Sequence, residues 1–315
     1  MRKNIKLIYC IIKKKSLMWF ARKNREIKLK QSDLKDGVTV LVPTYNHEDY
    51  IAECLESILM QKTNFSVIIF VFIDYCKDKT SEIVRRFEKD YPNQIKIFEN
   101  KTRLYGGMAS IKFHSIPVNT KFWCTLEGDD YWSSEDKLQT QLEVLKKNPE
   151  AIATCCRFQV LNKDGLSKSE GPDYISYNVL GKFKNRYKYA SYAHTSSILW
   201  RNIVRYNNLP HPKKFFDLGG RGDPFLEISM LGTFGTMICT KEVMSVYRIT
   251  GKGMWTSISE EERSELNKKA EVKLRKNLGF RIRLSILLKS NYLFIIFYYI
   301  LSKLKIIPKP VEIRI

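Results

Sequence analysis

Residues 38–46 read VTVLVPTYN, and this segment directs the interpretation of the chain around it. Val38 to Val42 are apolar or β-branched and stand directly before Pro43, which is typical of a short buried strand that ends at the proline. Apolar residues then recur at helical spacing and predict a helix over Glu48–Gln61. A strand followed at once by a helix is the first unit of an α/β fold.

The same alternation continues downstream of this unit. Further strands are predicted at Val67–Ile73, Ile95–Phe98, Phe122–Leu126 and Ala151–Phe158, with helices between them. The serine pair at 133 and 134 is a candidate cap for the helix that carries Leu138, Leu142 and Leu145. Strands that alternate with helices predict an α/β fold with a mostly parallel, Rossmann-like sheet and helices on both faces. Ligands of such sheets bind at the carboxyl ends of the strands.

The strongest local motif stands at one of those strand ends. Glu127-Gly128-Asp129-Asp130-Tyr131-Trp132 directly follows the strand that ends at Leu126. Three neighbouring carboxylates repel one another unless a cation or hydrogen-bond donors compensate their charge. Carboxylates suit hard divalent ions such as Mg²⁺ or Mn²⁺, which in turn bridge phosphate oxygens. Taken alone, the motif is equally compatible with a solvated acidic turn.

A second acidic segment follows the second predicted strand. Asp74 lies at the strand end, before any helix signal, which favours a functional role. Asp78 and Thr80 are open to two interpretations, because both residue types also cap the start of a helix. His194 is likewise open to two interpretations: an acceptor or phosphate contact, or a hydrogen-bonded structural histidine.

Composition limits the class of protein. The formal net charge is +21, and the basic residues concentrate in the two ends of the chain, where apolar residues are interleaved with them. That mixture is typical of interfacial helices on anionic lipid. The most apolar C-terminal run, Tyr292–Leu301, is half of the ~20 residues that a membrane-spanning helix needs. Seven cysteines without a Cys-x-x-Cys pair argue against a disulfide framework or a zinc site.

Taken in order, three segments resemble glycosyltransferase family 2. They are the strand end at 42–46, the acidic segment at 74–80 and the motif at 127–132. The resemblance extends over residues 38–255 and implies the GT-A fold. It divides the chain into a basic N-terminal segment at 1–36, a catalytic domain at 37–258 and a basic, apolar helical segment at 259–315. Within the domain, residues 37–158 form the nucleotide-binding half and residues 159–258 the acceptor half.

The resemblance also implies roles for individual residues. Those matching donor-binding positions are Pro43, Thr44, Tyr45, Asp74, Glu127 and Asp129. Asp129 and Asp130 match the region that holds the donor pyrophosphate through Mn²⁺ or Mg²⁺. Asp223, in Arg221-Gly222-Asp223-Pro224, matches the catalytic base. Tyr247, Arg248 and Trp255 match a loop that covers the donor.

The sequence departs from the family pattern at three positions. Glu127 stands where aspartate is commoner, which lengthens the reach to a metal. Cys76 replaces a serine, which weakens any hydrogen bond made by that side chain. Pro224 follows the proposed base where an aromatic residue is frequent.

The function predicted from the sequence is inverting transfer of a sugar from a nucleotide-sugar donor to a lipid-linked or growing glycan acceptor in cell-surface polysaccharide synthesis. The enzyme is expected at the cytoplasmic face of the cell membrane, held peripherally by anionic lipid. A nucleotidyltransferase is the enzymatic alternative, but it normally carries a Gly-rich phosphate loop after the first strand. A nucleic-acid-binding protein is the non-enzymatic alternative, and it requires basic residues on the ordered domain. Charge concentrated in the ends of the chain counts against nucleic acid as a partner.

Overall fold

A computed structural model describes residues 34–102, 118–149, 151–168, 193–202, 236–251 and 257–277. Nine strands of these residues form one sheet: β1 Lys35–Thr44, β2 Val67–Ile73, β3 Ile95–Glu99, β4 Thr120–Thr125, β5 Tyr131–Trp132, β6 Ala151–Asn162, β7 Gly165–Leu166, β8 Ile198–Arg201 and β9 Thr236–Arg248. The described helices are α1 Ile51–Leu59, α2 Thr80–Asp90, α3 Lys137–Lys147 and α4 Glu260–Asn277. A 3₁₀ turn, Thr195–Ser197, precedes β8.

The strand order is β3-β2-β1-β4-β8-β6-β9-β5, and β7 pairs with β6. The first four strands are parallel, as the sequence predicts. Beyond β4 the sheet is mixed, because β8 runs antiparallel to both β4 and β6, and β5 runs antiparallel to β9. The predicted α/β class is therefore confirmed, while parallel pairing is found in two places, from β3 to β4 and between β6 and β9.

β1 lies in the interior of the sheet. All residues from 37 to 42 are buried, and consecutive residues of a strand point to opposite faces, so both faces of β1 are covered. Ile51, Leu55 and Ile58 of α1 pack into the same hydrophobic core as Leu138 and Leu142 of α3. This packing fixes the carboxyl end of β1, where the candidate site begins.

Two predicted helix starts differ from the structure. α1 begins at Ile51 and not at Glu48, because the Glu48 N–H donates to Asp78 Oδ2 at 3.0 Å and its carboxylate accepts from the Lys79 N–H at 2.9 Å. These bonds tie the segment before α1 to the β2–α2 loop. α3 follows Asp136 without a side-chain cap, so the serine pair does not cap it.

α4 begins with reciprocal hydrogen bonds between Ser259 and Glu262. The Glu262 N–H donates to Ser259 Oγ at 3.2 Å, and the Ser259 N–H donates to Glu262 Oε2 at 3.1 Å, which is the capping-box arrangement. None of the described helices combines the length and the apolarity needed to cross a bilayer. Residues 1–33 of the N-terminal segment and residues 278–315, including Tyr292–Leu301, lie outside the described residues.

Candidate active site

The predicted functional segments meet at the end of β1. The Gly128 N–H donates to the Pro43 carbonyl at 3.0 Å, and the Asp74 N–H donates to the Thr44 carbonyl at 3.0 Å. The acidic turn, which we define as Glu127–Asp130, therefore lies on one side of the β1 end and Asp74 on the other. Three segments that are distant in sequence converge because β2, β1 and β4 are adjacent parallel strands.

Gly128 allows the acidic turn to approach β1 closely. A Cβ at this position would lie 2.7 Å from Thr44 Oγ1 and 2.8 Å from His47 Nδ1, closer than real Cβ contacts. Thr44 Oγ1 and His47 Nδ1 are themselves 3.2 Å apart and hydrogen-bonded, and His47 Nε2 is 3.8 Å from Asp129 Oδ2. Burial lowers the pKa of His47, although the charges of Asp129 and Asp78 favour the protonated ring.

His47 is a site residue that the sequence reasoning missed. Its position directly after the β1 end motif is the signal that could have identified it. Its ring lies between Thr44 and Asp129, and a change at Gly128 should disturb both of these contacts.

We expect Gly128→Ala to weaken donor binding and to cost about 1–3 kcal/mol of stability, the usual cost of overpacking. The reason is that the new methyl group must displace Thr44 or His47. Thermal unfolding and calorimetric titration with nucleoside diphosphates measure the two effects. Gly165→Ala is the matched control: its Cβ enters open space, but φ is +102°, so it should cost stability and leave donor binding unchanged. Unchanged donor binding in Gly128→Ala would contradict the expectation.

Asp129 and Asp130 occupy different environments. The Asp129 side chain is 16% exposed, whereas that of Asp130 is 1% exposed. Asp130 Oδ1 accepts from the Arg248 N–H at 2.8 Å, and its Oδ2 has no hydrogen-bond partner among the described residues. Burial, followed by the negative charges of Glu127 and Asp129, raises the pKa of Asp130 well above its ordinary value. Asp130 thus faces the protein interior, while Asp129 is accessible.

His194 lies behind Asp130, with Nδ1 at 3.8 Å from Asp130 Oδ2. This separation is within ion-pair range, but burial lowers the pKa of His194 to about 4, so the ring is neutral near pH 7. Its Nδ1 is hydrogen-bonded to Ser196 Oγ at 2.7 Å, and its ring packs against Tyr247 at a centroid distance of 4.3 Å. Of the two interpretations of His194, these contacts favour the structural one.

Asp74 is positioned by Asn100 at the neighbouring strand end. Asn100 Nδ2 donates to Asp74 Oδ1 at 2.9 Å.

Two residues beside the site have left-handed backbone conformations, Asn46 at φ 54° and Tyr75 at φ 50°. The Cys76 thiol accepts from the Asn46 N–H at 3.2 Å, so a hydrogen bond to this side chain is present despite the replacement of serine.

Asp78 and Thr80 organise the loops. Asp78 Oδ1 accepts from the Thr80 N–H at 3.0 Å, and Thr80 Oγ1 accepts from the His47 N–H at 2.8 Å. These bonds link the start of α2 to the β1–α1 loop and favour the structural interpretation of both residues.

Asp223 and Trp255 lie outside the described residues, whereas Tyr247 and Arg248 form the end of β9.

The carboxylates of the acidic turn suit a cation that is shared with a phosphate ligand. No group of three or more His, Cys, Asp or Glu side chains converges on one point within the described part of the chain. Mg²⁺ is commonly held by one or two carboxylates together with substrate phosphates, not by a cage made of protein alone. Asp129 provides a partly exposed carboxylate, and Glu127 adds a second one whose Oε2 is buried. Asp130 Oδ2 is a buried acceptor without a hydrogen bond among the described residues.

The chain is similar to known proteins over a large part of its length. The family model described as glycosyl transferase family 2 matches residues 39–206, just over half of the chain. Uncharacterized proteins of Mycobacterium bovis and Mycobacterium tuberculosis are 27% identical over 222 residues, which is 70% of this chain and 61% of theirs. The chain therefore spans about three fifths of the length of these relatives.

Two further comparisons concern named proteins. Glycosyltransferase GlyA of Streptococcus pneumoniae is 27% identical over 146 residues, which is 46% of this chain and 19% of that protein. The crystal structure of S. aureus TarS aligns with a TM-score of 0.57 at 18% identity, covering 80% of this chain and 43% of TarS. A structural match at 18% identity is evidence about the fold alone, and it confirms the GT-A fold that the sequence predicts.

Proposed function

Because the chain belongs to glycosyl transferase family 2, we propose that it transfers a sugar, with inversion, from a nucleotide-sugar donor to a glycan or lipid-linked glycan acceptor. The observation that carries the proposal is the convergence of the acidic turn, Thr44 and Asp74 on the end of β1. A nucleotide sugar needs a contact surface for its nucleoside and positive charge at its pyrophosphate. This site offers polar groups for the nucleoside and carboxylates that can hold a cation beside the pyrophosphate.

The donor half of the mechanism uses the strand ends. Asp74, which is hydrogen-bonded to Asn100, is proposed to bind the nucleoside of the donor. The neighbouring Pro43, Thr44 and Tyr45 are proposed to contribute to the same contact. Glu127 and Asp129 are the proposed contacts to the pyrophosphate side, with Asp130 as a further proposed cation ligand through Oδ2. A divalent cation bound there would stabilise the negative charge of the departing nucleoside diphosphate.

The acceptor half of the mechanism requires a base. The acceptor hydroxyl attacks the anomeric carbon on the face opposite the leaving group, while the carbon–oxygen bond to the β-phosphate breaks. The proposed base is Asp223, which takes the hydroxyl proton as the new glycosidic bond forms. One bond forms and one breaks on opposite faces of the sugar, so the anomeric configuration inverts.

A panel of nucleotide sugars tests the proposal. Release of nucleoside diphosphate should occur with one donor class in the presence of Mn²⁺ or Mg²⁺ and should stop in EDTA. UDP-N-acetylglucosamine and UDP-glucose are the first donors to try, because S. aureus TarS residues 1–349 have been crystallised with UDP and with UDP-GlcNAc. The same panel incubated with free nucleotides and an oligonucleotide acceptor tests the nucleotidyltransferase alternative. Nucleotide transfer without release from any nucleotide sugar would replace the proposed function.

The acceptor class is proposed from the relatives and from the basic ends of the chain. A poly(ribitol-phosphate) beta-glucosyltransferase of Bacillus spizizenii is 28% identical over 136 residues, which is 42% of this chain and 20% of that protein. A lipid-linked acceptor lies at a membrane surface because its lipid is held in the bilayer. An enzyme held at the cytoplasmic membrane surface would therefore meet such an acceptor directly.

We expect the protein to float with liposomes that contain anionic lipid and to dissociate at high salt. Each basic residue near such a surface contributes about 1 kcal/mol. Changing Lys13, Lys14 and Lys15 to glutamine should therefore cost about 3 kcal/mol, or roughly a hundredfold in partitioning. The matched control changes three exposed lysines of the domain to glutamine: Lys89 at the end of α2, and Lys146 and Lys147 at the end of α3. Equal flotation of all variants, or flotation on zwitterionic liposomes alone, would contradict surface attachment.

A further inference from the structure

Arg248 is the last residue of β9, and it contacts the acidic turn from both its backbone and its side chain. Its N–H donates to Asp130 Oδ1 at 2.8 Å, and its Nη1 donates to the Asp129 carbonyl oxygen at 3.0 Å. A single residue, separated by more than a hundred positions in sequence, therefore fixes two consecutive residues of the turn. The hydrogen bond to the Asp129 carbonyl restrains the backbone of the residue that carries the accessible Asp129 carboxylate.

The guanidinium group is itself held on three sides. Its carbon lies 4.8 Å from the ring centroid of Tyr50 and 5.1 Å from that of Tyr131. Its Nη2 donates to Glu53 Oε2 of α1 at 2.5 Å, and the Arg248 side chain is only 11% exposed. Arginine suits this arrangement, since two of its nitrogens donate to different acceptors while its guanidinium carbon lies over two aromatic rings.

These contacts leave little of the guanidinium for a donor. To reach a donor phosphate, Arg248 would have to leave both the Asp129 carbonyl and Glu53 and would expose two tyrosine faces. The side-chain contacts of Arg248 thus join β9 to the acidic turn, to Glu53 of α1 and to the rings of Tyr50 and Tyr131.

We propose that Arg248 is a positioning residue that locks the Asp129–Asp130 turn in the geometry that receives the cation and the donor pyrophosphate. This differs from a role in covering the donor, which the family resemblance implies for the same residue. The inference rests on the proposed function for its ligand, but the fixed geometry of the turn is a property of the protein alone. Arg248 consequently acts through Asp129 and needs no contact with the substrate.

Arg248→Lys separates geometry from charge. Lysine keeps the positive charge but cannot bond the Asp129 carbonyl and Glu53 with one planar group. Loss of an outer contact of this kind usually weakens metal binding by 10–100-fold. We therefore expect Mn²⁺ binding in the presence of UDP, followed by electron paramagnetic resonance, to weaken by at least about tenfold. In the protein without metal, amide hydrogen exchange of residues 126–132 should accelerate, while that of β2 should stay unchanged.

Glu53→Gln is the matched control. Glu53 is 52% exposed, and exposed ion pairs contribute little, so this change should alter Mn²⁺ binding less than about threefold. An equal loss in Glu53→Gln would overturn the inference, because the effect would then come from the exposed pair and not from the carbonyl bond. The inference would also be overturned if Arg248→Lys showed the wild-type rate of amide hydrogen exchange at residues 126–132 and wild-type affinity for Mn²⁺.

The hydrogen-exchange measurement keeps the two proposals distinguishable. If the wild-type protein binds no Mn²⁺ with UDP while Arg248→Lys still loosens residues 126–132, the positioning role stands. In that case the cation or the donor assigned under the proposed function is wrong. Unchanged exchange in Arg248→Lys overturns the positioning role whatever the metal does.

Discussion

Asp129→Ala is expected to lower sugar transfer by about three orders of magnitude or more. A cation that stabilises a developing phosphate charge contributes several kcal/mol, and each 1.36 kcal/mol corresponds to a factor of ten in rate. Asp129 is the partly exposed aspartate of the acidic turn, so its loss would remove the more accessible of the two aspartates proposed to hold the cation. Transfer rates at saturating donor, together with Mn²⁺ binding, measure the effect.

Asp90→Ala is the matched control for this change, because Asp90 is an exposed aspartate at the end of α2. It should retain wild-type transfer. Asp130→Asn should weaken Mn²⁺ binding less than Asp129→Asn, since Asp130 is 1% exposed and its Oδ1 is already bonded by the Arg248 N–H. Wild-type transfer by Asp129→Ala would remove the metal role from the acidic turn.

Asp223→Asn is expected to lower turnover by two or more orders of magnitude with donor binding nearly intact. A general base contributes about 10²–10⁴ in rate, and asparagine keeps the size of the side chain while losing its basicity. Single-turnover rates and the donor dissociation constant separate the two quantities. Asp217→Asn, six residues earlier in the chain, is the control and should behave like the wild type. A matching loss of donor affinity in Asp223→Asn would make Asp223 a donor-binding or structural residue.

Local sequence patterns predict the first half of the fold well. The strand Val67–Ile73 is found with its predicted bounds, since a continuous apolar run between polar segments leaves little freedom in where it ends. The helix after β1 starts three residues later than predicted. The reason is a contact between segments distant in sequence, because Glu48 is hydrogen-bonded to the β2–α2 loop about thirty residues away. The helical spacing of apolar residues cannot predict such a contact.

The mixed half of the sheet and the inner contacts of the site were less accessible to sequence reasoning. β8 separates β4 from β6 and runs against both, and its four residues are too short to indicate direction. Asp129 and Asp130 are adjacent in sequence and chemically identical, yet one is accessible and the other is buried against β9. Only the pairing of β5 with β9 brings Arg248 to this turn.

The most direct test of the account is nucleoside diphosphate release by the wild type and by Asp129→Ala, measured side by side with each nucleotide sugar. Each donor is assayed with Mn²⁺ and with EDTA. The account predicts release by the wild type with Mn²⁺ for one donor class, and background rates in EDTA and in the variant. Full release in EDTA, or by the variant, would contradict it. Salt-dependent retention of the protein on DNA, without release from any nucleotide sugar, would contradict the proposed enzymatic function altogether.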